Sequence, residues 1–331
     1  MARPVRSKPI ALLRSGGKTS VRAKLEHMKP TEYIWMDGSL VPWEEATVHV
    51  LSHGLHYGTG AFEGVRAYDA VDGTAAFRLT DHIDRLSRSS KALGIPFEYG
   101  VDELVEACKE LLRVNGLRSG YIRPVIFFGT GSMGLNPAGA RVHVSIAAWE
   151  WGAYLGEEGV QNGIRVAVSS WRRIGQNAFM PDAKGTGGYM NSVLAKTAAI
   201  KAGYDEALLL NHDGLIAEGS GENLFMVRDD LVHTPPTSAG ALDGITRNSV
   251  YRLLEEDGYT IKESAITRTD LYYADEVFFT GTAAEVTPVR EVDDRPVGDG
   301  TPGPVTRRAQ ELFMGAVTGK LDLHPEWREY I

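Results

Sequence analysis

Cysteine is almost missing from this chain of 331 residues: Cys108 stands alone. A single thiol excludes an internal disulfide and any metal site built from several cysteines. Long apolar runs are missing too, and none approaches the roughly 20 residues that cross a bilayer, so the chain is expected to be soluble. A basic surplus is also lacking. Its 35 Lys and Arg face 43 Asp and Glu, a net charge of -8, which leaves no electrostatic footprint for nucleic acid or an anionic membrane surface. The expected partner is a small molecule. No repeat or low-complexity tract interrupts the sequence, and its 43% hydrophobic and 24% charged residues are globular material, enough for two packed units.

What is present divides unevenly. Residues 1–31 carry Arg3, Arg6, Lys8, Arg14, Lys18, Arg22, Lys24 and Lys29 against one acid, Glu26. They read as a basic extension outside the folded part: a disordered tail, a transit peptide, or residues preceding a true start at Met28. Gly17-Lys18-Thr19 ends like a phosphate-binding loop, but position 12 is Leu12 where that loop needs glycine, and no strand precedes it.

From Tyr33 the pattern is strand, Asp37-Gly38 turn, strand. A helix is expected from near Asp81, an amphipathic one over Val101 to Val114, and buried strands over Tyr121 to Phe128 and Val142 to Ala148. Cys108 sits on the helical stripe Leu104, Val105, Cys108, Leu111, Leu112, the spacing of a core thiol. Gly152 to Gly163 reads as a glycine-rich, acidic bridge to a second unit that opens at Ile164 to Val168. After Lys184 comes a helix with Met190, Val193, Leu194, Thr197 and Ala198 on one face, then strands over Ala207 to Leu210, Leu215 to Ala217 and Leu224 to Val227. The expected organisation is a two-domain α/β chain: the extension, a smaller α/β unit at 32–155, and a larger cofactor-binding unit at 156–331 with the interdomain loop.

Lys184 stands in Met180-Pro181-Asp182-Ala183-Lys184-Gly185-Thr186-Gly187-Gly188-Tyr189, where three of four following residues are glycine. Glycine permits close approach of a bulky group to the backbone, and a lysine so placed can bond a carbonyl or pyridoxal phosphate. That cofactor also needs an acid facing its pyridine nitrogen and a cup for its phosphate. Glu218, in Ala217-Glu218-Gly219-Ser220-Gly221-Glu222-Asn223, supplies a carboxylate at a glycine-flanked strand end. Gly244-Ile245-Thr246 opens a helix whose free amides face an anion, Gly281-Thr282-Ala283-Ala284 offers a second amide loop, and Arg85 a bidentate charge. Each segment alone is equally a turn or a solvated surface.

Together with His53 to Arg66, Tyr121-Ile122-Arg123-Pro124, Trp151 to Gly156, Glu218 to Phe225, Gly244 to Arg247 and Gly281 to Pro288, these segments resemble the branched-chain amino acid aminotransferases, of pyridoxal phosphate fold type IV. The resemblance covers about residues 32 to 318. It implies transamination of leucine, isoleucine and valine with 2-oxoglutarate by a ping-pong mechanism in which Lys184 is the imine lysine and proton shuttle. It makes Glu218 the pyridine-nitrogen partner and Tyr189 the donor to the cofactor's phenolic oxygen, with Arg85, Ile245, Thr246 and Thr282 as the phosphate cup. Tyr57, Phe62, Gly64, Tyr121, Arg123, Trp151, Tyr154, Thr282 and Ala283 match substrate-pocket positions. It further implies a cleft between the two units and a homodimer, or a higher homo-oligomer, in which the partner contributes Tyr57. The setting is expected to be cytoplasmic, with organellar targeting by the extension left open.

Other readings use parts of the same pattern. D-amino acid and (R)-amine aminotransferases share the fold and its cofactor anchors, and a non-catalytic pyridoxal phosphate binder would keep the cup without needing Glu218. A metal hydrolase built on His53 and His56 lacks a third ligand nearby, so no metal is expected.

Overall fold

A computed structural model describes residues 29–331 other than residue 153; the expectations for residues 1–28 lie outside the described residues. The hairpin read from Asp37-Gly38 is present: β1 (Tyr33–Met36) pairs with β2 (Ser39–Pro42), and the turn residues have φ of 50° and 95°. Positive φ at both positions matches the twist of the strands they join. There follow α1 (His53–Tyr57), β3 (Gly60–Phe62), β4 (Val65–Ala70), β5 (Gly73–Phe77), α2 (Leu79–Ala92), α3 (Val101–Val114), β6 (Gly120–Phe128) and β7 (Val142–Trp149). These strands form an antiparallel sheet in the order β5-β4-β6-β7-β1-β2, with β3 also on β6.

The second sheet takes its strands from β8 (Ile164–Val168), β9 (Glu206–Leu210), β10 (Ile216–Gly219), β11 (Asn223–Arg228), β12 (Leu231–Thr234), β13 (Ile261–Glu263), β14 (Glu276–Gly281), β15 (Glu285–Val292) and β16 (Arg295–Pro296). Its order is β10-β9-β8-β15-β14-β11-β12-β13, with β16 on β15, and β8 runs parallel to both neighbours. The helices α4 (Glu157–Asn162), α5 (Tyr189–Lys201), α6 (Ile245–Glu256), α7 (Arg268–Tyr272) and α8 (Pro304–Thr318) accompany it. The last strand, β17 (Arg328–Tyr330), returns to pair with β5 of the first sheet.

Packing explains the elements. Leu79, Ile83 and Leu86 of α2 and Leu104, Cys108 and Leu111 of α3 cover Ile122, Ile126, Val144 and Ile146 of the first sheet. The core position read for Cys108 is therefore occupied, and burial pushes its thiol far above its ordinary value, which leaves it inert. Across the second sheet, Val250, Leu253, Leu312 and Phe313 pack over Phe225 and Phe278, whose rings stack 5.1 Å apart.

Three local expectations need correction. The helix after Phe77 starts at Leu79, not near Asp81, because Arg78 (φ 49°) turns the chain directly out of β5 and Leu79 is core. The glycine-rich bridge holds the short helix α4. On α5, the large apolar residues Met190, Val193 and Leu194 are exposed, and Ser192, Ala195 and Ala199 are buried, the two alanines against Ala207 and Leu209. A helix lying close on a sheet takes its small residues inward.

Candidate active site

Lys184 lies between the two sheets. Its carbonyl accepts from the Phe62 amide (3.0 Å), its own amide donates to Ser89 (3.1 Å), and Gly185 bridges Ala61 of β3. The adjoining glycines do different work from that read in the sequence. None of Gly185, Gly187 and Gly188 has positive φ. A Cβ on Gly185 or Gly188 would meet Phe179 at 2.8 and 3.0 Å, and Gly187 stacks on the backbone of Gly58, where a Cβ would come within 2.7 Å of Gly187. They let one chain segment press on another, and so aim the lysine: its Nζ is 2.7 Å from the Tyr189 hydroxyl and 5.1 Å from the centre of the Phe62 ring.

A cleft open at its mouth gathers Lys184, Tyr189, Glu218, Arg85, Ile245, Thr246 and Thr282 along its lining. Glu218 leaves β10 held by the Leu242 amide (2.9 Å), the Asn223 amide group (3.2 Å) and Arg173 (2.8 Å). A Cβ on Gly244 would fall 1.9 Å from Asn223 Oδ1, so the glycine leaves that side chain its place beside Glu218. Arg85 is no solvated helix residue: its guanidinium grips both oxygens of Glu63 (2.6 and 2.9 Å) and donates to the Asp243 carbonyl (2.7 Å). Glu63 also accepts from His82 Nδ1 (2.7 Å), and both residues are fully buried. Burial would raise the Glu63 carboxyl, but Arg85 and then His82 outweigh it and hold it well below the usual carboxylate range. Burial also lowers His82, against the pull of Glu63, and its Nε2 has no partner.

The positions matched to a substrate pocket form an aromatic train next to the lysine. Phe62 meets Tyr189 edge-on (4.7 Å), Tyr121 meets Trp151 (4.7 Å), and Trp151 meets Tyr154 (5.7 Å). Arg123 lies over Phe62 and Tyr121 (4.9 and 5.2 Å) and donates to the Tyr121 hydroxyl, and its buried Nε has no partner. Gly64 leaves room for Tyr121, whose hydroxyl would stand 1.7 Å from a Cβ there. Ala283 follows Thr282 in the β14–β15 turn and accepts from Arg66, which also binds the Trp151 carbonyl. Tyr57 is not brought to this place: it is exposed, and its hydroxyl donates to the Met133 carbonyl.

Sequence reading passed over Glu63, His82, Arg173, Asn223, Lys196 and the buried acids Glu206 and Glu222. Glu63 and Glu222 lay inside quoted segments, and an acid within an apolar, glycine-rich run was the available signal. Arg173 and Lys196 gave none. Among the described residues no cluster of His, Cys, Asp or Glu is arranged to hold a metal ion.

The family model for amino-transferase class IV matches residues 60–292. The chain belongs to this family. Its similarity to a branched-chain-amino-acid aminotransferase of Pseudomonas aeruginosa is 52% identity, covering 90% of this chain and 97% of that one. Among solved structures, a T.th. branched-chain amino acid aminotransferase with pyridoxamine 5'-phosphate superposes with TM-score 0.89 at 50% identity, over 92% of this chain and 99% of the other. The same enzyme complexed with N-(5'-phosphopyridoxyl)-L-glutamate gives 0.87 at 49%, over 91% and 98%. The architecture expected from the resemblance, fold type IV, is the one present, and the chain is an aminotransferase.

Proposed function

We propose that this aminotransferase moves the amino group of leucine, isoleucine and valine onto 2-oxoglutarate, giving branched-chain 2-oxo acids and L-glutamate, with pyridoxal 5'-phosphate in the cleft around Lys184. The observation that carries the reading is the convergence of Lys184, Tyr189, Glu218, Arg85, Ile245, Thr246 and Thr282 on one cavity. The residues suit that cofactor. No side chain caps α6, so its first amides are open to an anion. Of the five guanidinium donors of Arg85, three are engaged, which leaves two for a phosphate. Bound there, pyridoxal phosphate supplies an electrophilic carbon and an electron-withdrawing ring.

In this reading Lys184 Nζ carries the proton that leaves the substrate Cα, and Tyr189 orients that amine. Glu218, its oxygens fixed by Leu242, Asn223 and Arg173, supplies the negative charge that keeps a pyridine nitrogen protonated. Arg85, Ile245, Thr246 and Thr282 hold the phosphate. Phe62, Gly64, Tyr121, Trp151, Tyr154 and Ala283 enclose an aliphatic side chain, while Arg123 offers its unpartnered Nε–H to a carboxylate.

A homodimer is part of the proposal. Exposed Leu51, Leu55, Tyr57, Met133 and Leu135 supply an apolar face for it, and it lets the partner's Tyr57 enter the cleft. So are the two units at 32–155 and 156–331, the second sending its last strand β17 back to the first unit's sheet, and a cytoplasmic setting; no described helix is long and apolar enough to cross a membrane.

The test is purified protein given a panel of L- and D-amino acids with 2-oxoglutarate, followed by borohydride reduction and peptide mapping. Branched-chain L-amino acids should react, the label should sit on Lys184, and Lys184→Ala should not turn over. Exclusive use of D-amino acids, or a label on another lysine, would overturn the reading.

A further inference from the structure

Lys184 is held at its backbone from two sides, and the two holders meet again at α2. On one side the Lys184 carbonyl accepts from the Phe62 amide (3.0 Å), and Glu63, the next residue, grips the Arg85 guanidinium (2.6 and 2.9 Å). On the other side the Lys184 amide donates to Ser89 Oγ (3.1 Å). Arg85 and Ser89 stand four residues apart on α2, hence on one face and about 6 Å apart along its axis. Both are buried, 6% and 2% exposed. The contacts close a ring that runs from Lys184 through Phe62, Glu63, Arg85 and Ser89 back to Lys184.

The two halves of the Lys184 segment are not tied equally. Downstream, Gly185 bridges Ala61, Thr186 Oγ1 donates to the Gly58 carbonyl (2.7 Å), and the Gly187 amide donates to the same carbonyl (3.0 Å). Upstream, the amides of Ala178, Phe179 and Ala183 donate to Gly175 and Met180 within their own loop. On this side the hydrogen bond from Lys184 to Ser89 is the tie to the first unit. The helix that carries Ser89 is itself fixed, because Leu79, Ile83 and Leu86 sit in the core beneath it. Its end also touches the segment: a Cβ on Gly185 would come 3.0 Å from Leu93 Cδ1.

We propose that Ser89 is a positioning residue for Lys184, with α2 serving as a ruler that sets the lysine at a fixed distance from the phosphate arm Arg85. The proposal rests on the reading of Lys184 and Arg85 given above. A cofactor held by its phosphate puts its carbonyl carbon at one place, and Nζ must stand there to bond it. The Ser89 hydroxyl oxygen accepts the one hydrogen that the Lys184 amide has to give. Without that oxygen the amide has no partner. The peptide between Ala183 and Lys184 is then free to turn, and the amine loses its aim while the phosphate cup keeps its geometry. Ser90, the next residue, provides a control: it is fully buried, and its hydroxyl donates to the Ile95 carbonyl (2.9 Å) instead of serving Lys184.

The full-length enzyme, loaded with pyridoxal phosphate or with pyridoxamine phosphate, tests this by the rate at which each is lost on dilution, followed by fluorescence. Pyridoxal phosphate joins the lysine through its aldehyde with loss of water, whereas pyridoxamine phosphate carries an amine there and is held without that bond. Ser89→Ala should release pyridoxal phosphate roughly tenfold faster, the scale of one lost buried hydrogen bond, and pyridoxamine phosphate within about twofold of the wild-type rate. Ser90→Ala should leave the ratio of the two rates unchanged. Equal acceleration of both losses in Ser89→Ala, or of neither, overturns the proposal, as does a Ser90→Ala variant that shifts the ratio as far. Where Ser89→Ala does not fold, Ser89→Cys, which fills the same space with a weaker acceptor, is read in the same way. Borohydride labelling of the wild type keeps the two readings apart. A label on another lysine overturns the site reading and this proposal together, and a label on Lys184 with an unchanged ratio in the variant overturns this proposal alone.

Discussion

Replacing Glu63 by Gln removes one charge from the most enclosed ion pair near the cleft. Glu63 receives three charge-assisted bonds, from Arg85 Nε (2.6 Å), Arg85 Nη2 (2.9 Å) and His82 Nδ1 (2.7 Å), and all three residues are buried. In Glu63→Gln one oxygen becomes an NH2 group that points a donor at another donor, and the Arg85 charge stays buried with nothing opposite. Breaking one partner of such a pair costs about 3–5 kcal/mol, a large share of the roughly 5–15 kcal/mol that a typical domain has. Urea unfolding at neutral pH should show that loss as a lower midpoint with an unchanged slope. The sign with pH follows from the depressed carboxyl of Glu63. Its contribution is fully present above the ordinary carboxylate value of 4.5 and is lost as pH falls below it. The difference between wild type and variant should therefore be flat around neutrality and shrink in acid. A second readout separates aim from general damage. Affinity for pyridoxal phosphate, followed by fluorescence, should fall more than affinity for pyridoxal, which lacks the phosphate. A stability loss under about 1 kcal/mol, or equal losses for the two ligands, would refute the reasoning.

Gly64→Ala should drive the Tyr121 hydroxyl from a position 1.7 Å from the new Cβ; an overpacking cost of about 1–3 kcal/mol is expected in thermal unfolding, with a lower kcat/KM. Arg123→Gln should depress the 2-oxoglutarate half-reaction roughly tenfold to a hundredfold and the leucine half-reaction less, because only the former offers a side-chain carboxylate; stopped-flow of the two half-reactions checks this, and equal losses would move Arg123 to the shared α-carboxylate. Glu222→Gln should gain stability over the wild type with rising pH. The wild-type acid prefers its proton when folded, so stability falls from the ordinary 4.5 up to about 8, by on the order of a few kcal/mol. A difference between urea midpoints that is the same at both ends of this range would contradict it.

Much of this protein was legible in one dimension. Alternation and helical period gave the strand at Tyr121 to Phe128 and the helix at Val101 to Val114 nearly to the residue, because each presents one continuous apolar face to a single neighbour. Asp37-Gly38 gave a turn, since its backbone demands are local. The glycine-flanked segments around Lys184, Glu218 and Gly244 announced a ligand cleft, and the structure brings all three to one cavity.

What the chain did not disclose depends on partners far apart in sequence. The direction in which α5 faces was hidden because its apolar residues point away from the sheet and its small ones toward it. The glycines after Lys184 were right for the wrong neighbour: they admit the backbone at Gly58 and the ring of Phe179. Arg85 looked like a surface charge until Glu63, 22 positions away, closed on it, and nothing in Lys196 or Glu206 singly marked the ion pair they make. Periodicity records which face of an element is apolar. The pairing of buried charges is set by burial and distance, and those exist only once β9 and α5 have packed together.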